Sequence, residues 1–128
     1  MVDLGKSQKQ KAKILDLMLM LYINLAACYL RRSDLSNAMA ACNEALALDP
    51  NNQKALYRRS KCYSMNVNVS TDELKLAVKD LKTAYKLKPQ KKILQELQRV
   101  RAELQKIKAD ENESLKGMFF RKLSPKKA

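Results

Sequence analysis

Apolar positions recur at helical spacing in five blocks along the chain, separated by short polar breaks. The first block runs from Lys6 to about Arg32. Its opening, Lys6–Lys13, is polar; beyond it Leu15, Met18, Leu19, Tyr22, Leu25, Ala26 and Tyr29 fall on one side of a helix. Ser33-Asp34 supplies a stop and a new N-cap. A second helix is predicted over Leu35–Leu48, with Leu35, Ala38, Met39, Cys42, Ala45 and Leu46 on one face. Asp49-Pro50-Asn51-Asn52 breaks the chain and caps a third helix at about Gln53–Ser64. Met65–Val69 is a polar and β-branched loop. Ser70 and Glu73 then have the spacing of a capping box, which starts a fourth helix over about Thr71–Leu87. After Pro89 a charge-laced helix is predicted from Gln90 to about Phe120. Its apolar stripe is Ile93, Leu94, Leu97, Val100, Leu104 and Ile107. Ser124–Ala128 reads as a disordered basic tail.

The blocks repeat. Tyr29, Ala38, Ala45 and Pro50 align with Tyr63, Ala77, Ala84 and Pro89. From the first alanine to the proline the two units keep register. The step from Tyr to Ala is nine residues in one and fourteen in the other, so five residues are inserted in the Met65–Asp72 turn, where a surface loop absorbs them at little cost. The expected organisation is one all-α domain over residues 1–128, made of antiparallel helix pairs and a long C-terminal helix. It divides into 6–32, 33–50, 51–89, 90–121 and a basic segment, 122–128.

Composition narrows the function. Two Gly and three Pro in 128 residues agree with helix nearly throughout. The best candidate for a membrane span, Ile14–Leu30, is interrupted by Asp16 and Asn24, and no cleavable signal pattern opens the chain. With no His, and with Cys28, Cys42 and Cys62 widely spaced, zinc and a disulfide framework are not expected; reduced, packed thiols are. Met18, Met20, Met39 and Met65 read as core filler, and Tyr22, Tyr29 and Tyr63 as packing between helices. No nucleophile–base pair, Gly-rich phosphate loop or cofactor motif is present, so no catalytic residue, cofactor or enzyme activity is expected. The net charge of +13 favours acidic partners. Attachment to anionic membranes or RNA would rest on charge alone, and no specific nucleic-acid signature is present.

One cluster departs from the packing pattern. Lys54, Arg58 and Lys61 fall at i, i+4 and i+7, a single stripe of like charge that disfavours the helix by a few tenths of a kcal/mol per pair, ~0.2–0.5. The stripe is either a solvated basic face or an anion site, with Lys54 as a point charge and Arg58 as a bidentate fork. Asn24 interrupts an apolar stretch, and its amide needs a partner: a neighbouring helix or a ligand.

The small/large pattern resembles the tetratricopeptide repeat, with Cys42 where an aromatic is usual and Arg59 where a Leu is usual. Three segments resemble, in order, the C-terminal repeat domain of the large FK506-binding immunophilins and their aryl-hydrocarbon-receptor-interacting relatives. They are Tyr22-Ile23-Asn24-Leu25-Ala26-Ala27-Cys28-Tyr29-Leu30, Asn52-Gln53-Lys54-Ala55-Leu56-Tyr57-Arg58-Arg59 and Lys116-Gly117-Met118-Phe119. The resemblance implies a cytoplasmic co-chaperone module. In carboxylate-clamp repeats an Asn in one repeat and a Lys and Arg four apart in the next hold the acidic tail of a heat-shock chaperone. Asn24, Lys54 and Arg58 match, and Lys61 extends the stripe.

The implied ligand is a Glu-Glu-Val-Asp tail of the 90-kDa class, with the 70-kDa class as competitor. A complete clamp takes a further Lys and Asn from the first helix of a preceding repeat. Here Lys6–Leu21 reads as only the second helix of that repeat, so weak binding by this chain alone is expected, and the isomerase domain of the family is not expected within it. The exposed apolar face of the first helix suggests the alternative, a scaffold for self-association with a vestigial clamp. The last helix, with Leu97, Val100, Leu104 and Ile107 beside Arg99, Arg101, Lys106 and Lys108, has the look of a calmodulin target, or of a terminal helix packed on the second repeat.

Overall fold

The computed structural model describes residues 4–123, apart from the side chains at positions 4, 6 and 123. The expected tail, Ser124–Ala128, lies outside the described residues. Among the described residues there are five helices and no strand: α1 (Leu4–Arg31), α2 (Leu35–Leu48), α3 (Gln53–Ser64), α4 (Thr71–Leu87) and α5 (Lys91–Leu123).

The boundaries follow from local chemistry. At the end of α1 the Asp34 N–H donates to the Tyr29 carbonyl at 2.9 Å and the Ser33 N–H to that of Leu30 at 3.0 Å. Ser33 takes the left-handed conformation this closure requires, with φ 57°. A serine there is strained, but the turn places Asp34 to cap α2, accepting from the Asn37 N–H at 3.3 Å and from its side-chain amide at 2.8 Å. Asn52 caps α3 by accepting from the Ala55 N–H at 3.0 Å. Ser70 and Glu73 satisfy each other's backbone reciprocally and start α4.

The helices pair α1 with α2 and α3 with α4, while α2 meets α3 and α5 covers α4. Ala26, Ala38, Ala45, Ala55, Ala77 and Ala84 have no exposed surface. A methyl group at each crossing lets the backbones approach closely. Leu74, Leu81 and Val100 fill the space between α4 and α5 and are fully buried. Burial of each stabilises the fold by about 1.5–3 kcal/mol. Ile93 and Leu97 join this core, and Leu104 and Ile107 pack at its edge. The stripe that suggested a calmodulin target is therefore covered, and such a partner would have to displace it.

Leu4–Arg31 is one unbroken helix, close to the expected Lys6 to about Arg32. Other readings change. Of α1, Ser7–Arg31 is long and apolar enough, by length and composition, to cross a membrane; Asp16 and Asn24 do not interrupt it as sharply as expected. Its second half packs in the repeat through Ile23 and Ala26, whereas Ile14, Leu15, Leu17, Met20 and Leu21 stay exposed. Met18 and Met65 are also exposed, so of the four methionines read as filler only Met39 packs against a buried cluster. Cys28 is exposed, while Cys42 and Cys62 are buried together. The Cys62 thiol beside it, and then burial, push the Cys42 thiol far above its usual range and keep it protonated.

Arg59, at a position where the repeat usually has Leu, joins three helices. Its Nε and Nη2 donate to the buried Asp80 carboxylate at 2.7 and 2.8 Å, and its Nη1 donates to Asn43 Oδ1 at 3.2 Å. This is a bidentate pair with its acid in the core. Arg59→Leu leaves that acid buried and unpaired, and should cost about 2–3 kcal/mol, below the full cost of a broken buried pair because the arginine is partly in water. The double variant Arg59→Leu/Asp80→Leu should recover most of the loss. Urea unfolding followed by circular dichroism measures both; a double variant that simply sums two losses would show no coupling.

Candidate functional site

A cavity of about 320 Å3 opens between α1, α3 and the start of α5. That volume lies at the low end of ligand pockets, ~300–1,000 Å3. No residue of α2 or α4 lines it. Four of its ten lining residues are cations (Lys54, Arg58, Lys61 and Lys92) and none is acidic. The apolar part of the wall is Ala27, Leu30, Tyr57 and Ile93.

The i, i+4, i+7 spacing on α3 thus places Lys54, Arg58 and Lys61 on one wall, but they are differently engaged. Lys54 is exposed, in the first turn of α3, where no acid offsets the helix dipole against it. Arg58 is half-buried, and its Nη1 donates to the Ile23 carbonyl of α1 at 2.9 Å. One N–H anchors the guanidinium, and the remaining donors are left for a ligand. Lys61 lies 3.5 Å from Glu96 Oε2 and 5.6 Å from the centroid of the Tyr57 ring.

Glu96 is the acid that organises this end of the site. It is buried on α5 and accepts from Arg99 Nη2 at 2.6 Å and Arg99 Nε at 3.2 Å. Arg99 is itself held by Ser64 of α3 at 3.3 Å and Glu103 at 3.4 Å. Burial alone would raise the pKa of Glu96, but the Arg99 hydrogen bonds and the Lys61 charge outweigh it and hold the carboxyl below its usual range.

Asn24 does not line the cavity. It is exposed, one turn before Ala27 and adjacent to the residue whose carbonyl holds Arg58. An exposed amide is open to water or to a ligand. Sequence reading missed Tyr57, Lys92, Gln53 and Gln90 in the lining. Gln53 closes the end of α4, its amide donating to the Ala84 and Lys88 carbonyls at 2.8 and 2.6 Å. Lys92 had a visible signal: it is the second residue of the helix after Pro89, as Lys54 is of the helix after Pro50. Among the described residues no group of three or more His, Cys, Asp or Glu could hold a metal.

Tandem helix pairs crossing at alanines, with a basic cavity lined from the first helix of each pair, define a tetratricopeptide-repeat array. Residues 20–52 match the family model of the tetratricopeptide repeat. The chain is 42% identical over 69 residues to FK506-binding protein 59 of Drosophila melanogaster, covering 54% of this chain and 15% of that protein. It is 34% identical over 86 residues to the human peptidyl-prolyl cis-trans isomerase FKBP4, covering 67% of this chain and 18% of that protein. The chain thus spans under a fifth of the length of these relatives. Among solved structures it is similar to one of the UNC-45 chaperone, determined for the molecular features of that protein critical for binding and folding muscle myosin. The TM-score is 0.64 and the identity 32%, over 88% of this chain and 13% of that one.

Because Glu96 has a lowered pKa when folded, its contribution to stability is present above the unfolded carboxylate value of 4.5 and is lost as pH falls through its lower folded value. Glu96→Gln should therefore be less stable than wild type at pH 7, and the gap should narrow below about pH 4. Urea midpoints measured across pH 3–7 would show this; a constant gap would mean that the charge of Glu96 contributes nothing.

Proposed function

We propose that this chain is a peptide-binding region of an immunophilin-like co-chaperone, working in a cytoplasmic setting. It takes the acidic C-terminal tail of a heat-shock chaperone of the 90-kDa class, with the 70-kDa class as competitor. The observation that carries the reading is a cavity with four cations and no acid in its lining. An acidic peptide end is the ligand such a lining fits: carboxylates for Lys54 and the open donors of Arg58, an aliphatic side chain against Leu30 and Ile93. The resemblance of Asn24, Lys54 and Arg58 to a carboxylate clamp, and the likeness to two FK506-binding proteins and a chaperone, point the same way. Asn24 enters as a contact to the part of the ligand that extends beyond the cavity. Lys61, neutralised in part by Glu96, acts more as a wall than as a donor. No reaction is assigned to these residues.

A fluorescent Glu-Glu-Val-Asp peptide should bind saturably. Arg58→Ala should weaken it by about tenfold or more, since a hydrogen bond to a charged group contributes ~1.5–3 kcal/mol. Absence of saturable binding by wild type, or equal binding by the variant, would overturn the assignment.

A second reading rests on α1, where Ile14, Leu17, Met20 and Leu21 present apolar surface to water. Such a patch on a helix favours burial against another chain, and a second copy is the available one. In sizing by light scattering, the wild-type mass should rise with concentration, while Leu17→Glu stays monomeric. A wild type that is monomeric at every concentration would remove self-association.

A further inference from the structure

We propose that Lys92, in the first turn of α5, is a ligand-binding cation that reads a second carboxylate of the peptide, one turned away from the pair held by Lys54 and Arg58. The inference rests on the carboxylate-binding reading of the cavity and extends it to a helix that sequence comparison of the α3 stripe does not touch.

Three observations carry it. Lys92 lines the same cavity as Lys54 and Arg58, but from α5 rather than α3. Its ammonium lies 4.9 Å from the centroid of the Tyr57 ring, so a cation–π contact fixes where the charge sits without cancelling it. The third observation is the absence of an acid. Glu96, four residues along α5, is the ordinary partner for Lys92 on a helix surface. Its Oε1 accepts from Arg99 at 2.6 Å and its Oε2 faces Lys61 at 3.5 Å and Arg99 at 3.2 Å, so both oxygens are engaged by other residues. No ion pair forms at Lys92 among the described residues. A lysine held on an aromatic wall, in a helix first turn that lacks acids and opposes its charge, is a cation kept ready for an external anion.

The chemistry this selects is specific. Tyr57, Leu30 and Ile93 supply apolar wall to the cavity whose cations come from α3 and α5. The fitting segment carries carboxylates on both sides of an aliphatic side chain, rather than a single terminal carboxylate. Lys92 would then discriminate among acidic tails by the placement of a side-chain carboxylate, while Lys54 and Arg58 hold the end of the chain.

The test is a set of peptide titrations on the full chain. The probes are Glu-Glu-Val-Asp, Gln-Glu-Val-Asp, Glu-Gln-Val-Asp and the C-terminal amide of the first. The variants are Lys92→Ala, Lys92→Arg and, as reference, Arg58→Ala. Lys92 is exposed, and circular dichroism checks that its variants stay folded. Lys92→Ala should weaken Glu-Glu-Val-Asp binding about five- to tenfold, and Lys92→Arg should restore most of it. The loss should shrink toward none with one of the two Glu-to-Gln peptides and persist with the C-terminal amide. A loss of the same size with every peptide would show only long-range attraction in a basic protein and overturn the proposal. So would Lys92→Ala binding within twofold of wild type while Arg58→Ala is impaired, which leaves the carboxylate-binding reading standing without Lys92. If Arg58→Ala binds normally and Lys92→Ala does not, the clamp assignment fails and the α5 cation remains. If wild type binds none of the peptides, both fall.

Discussion

The structure depends on alanine at its helix crossings. Ala26, Ala38 and Ala45 between α1 and α2, and Ala55, Ala77 and Ala84 around α3 and α4, are entirely excluded from water. A larger residue at any of them would hold the backbones apart and open voids in the core around it. Close hairpins then dictate where everything else goes. Large side chains are pushed to the flanks of each crossing, where Tyr22, Tyr57, Tyr63 and Tyr85 pack against the buried cluster. The remaining faces of α1, α3 and α5 border a shared space. The cavity is the consequence of repeat packing, and its chemistry is whatever those three helices carry there.

What they carry is cationic because the nearby acids are inside. Asp80 and Glu96 are both buried, and each faces cations: Arg59 at one, Arg99 and Lys61 at the other, with Asn43 and Ser64 accepting from the two arginines in turn. Burial of an ion pair is weak evidence for stability, since desolvation offsets much of the attraction. Its effect here is on position. Glu96 ties α5 to α3 through Lys61 and, by way of Arg99, through Ser64, which fixes the distance across the cavity. Arg58 is anchored to α1 by a backbone carbonyl instead of an acid, so it arrives at the cavity rigid and still charged.

The helices were legible in the sequence because their signals are local. Asp34, Asn52 and the Ser70–Glu73 pair cap the helices they were expected to cap, and the alanine and proline register identified the repeat. The site was legible only in part. Lys54, Arg58 and Lys61 share one helix, so periodicity alone grouped them. Lys92 joins them only through packing of α5, and nothing local to Gln90-Lys91-Lys92 distinguishes it from the other lysines of that helix except its echo of Lys54. Met18, Met20 and Cys28 show the opposite failure. An apolar stretch reads as buried when it is assumed to be core, but α1 is twice the length of α2 and much of its first half is exposed. Burial is a property of the neighbour, and a helix that outruns its partner keeps its apolar pattern without the burial.

That asymmetry bears on how the cavity works. Its α3 and α5 walls are held by Glu96 and by the Leu97 and Val100 packing, while the α1 wall is held by the second half of that helix, where Ile23 and Ala26 are buried and Tyr22, Leu25 and Tyr29 pack partly buried, with exposed apolar residues preceding them. Local stability follows buried contact, so the first half of α1 belongs to the least protected part of the fold. Whatever covers Ile14–Leu21, a second copy or another helix, would steady α1 and with it the Ile23 carbonyl that orients Arg58. If an anion binds in the cavity as proposed, burying that face and binding it would be linked through this one hydrogen bond, and any such linkage runs with equal strength in both directions.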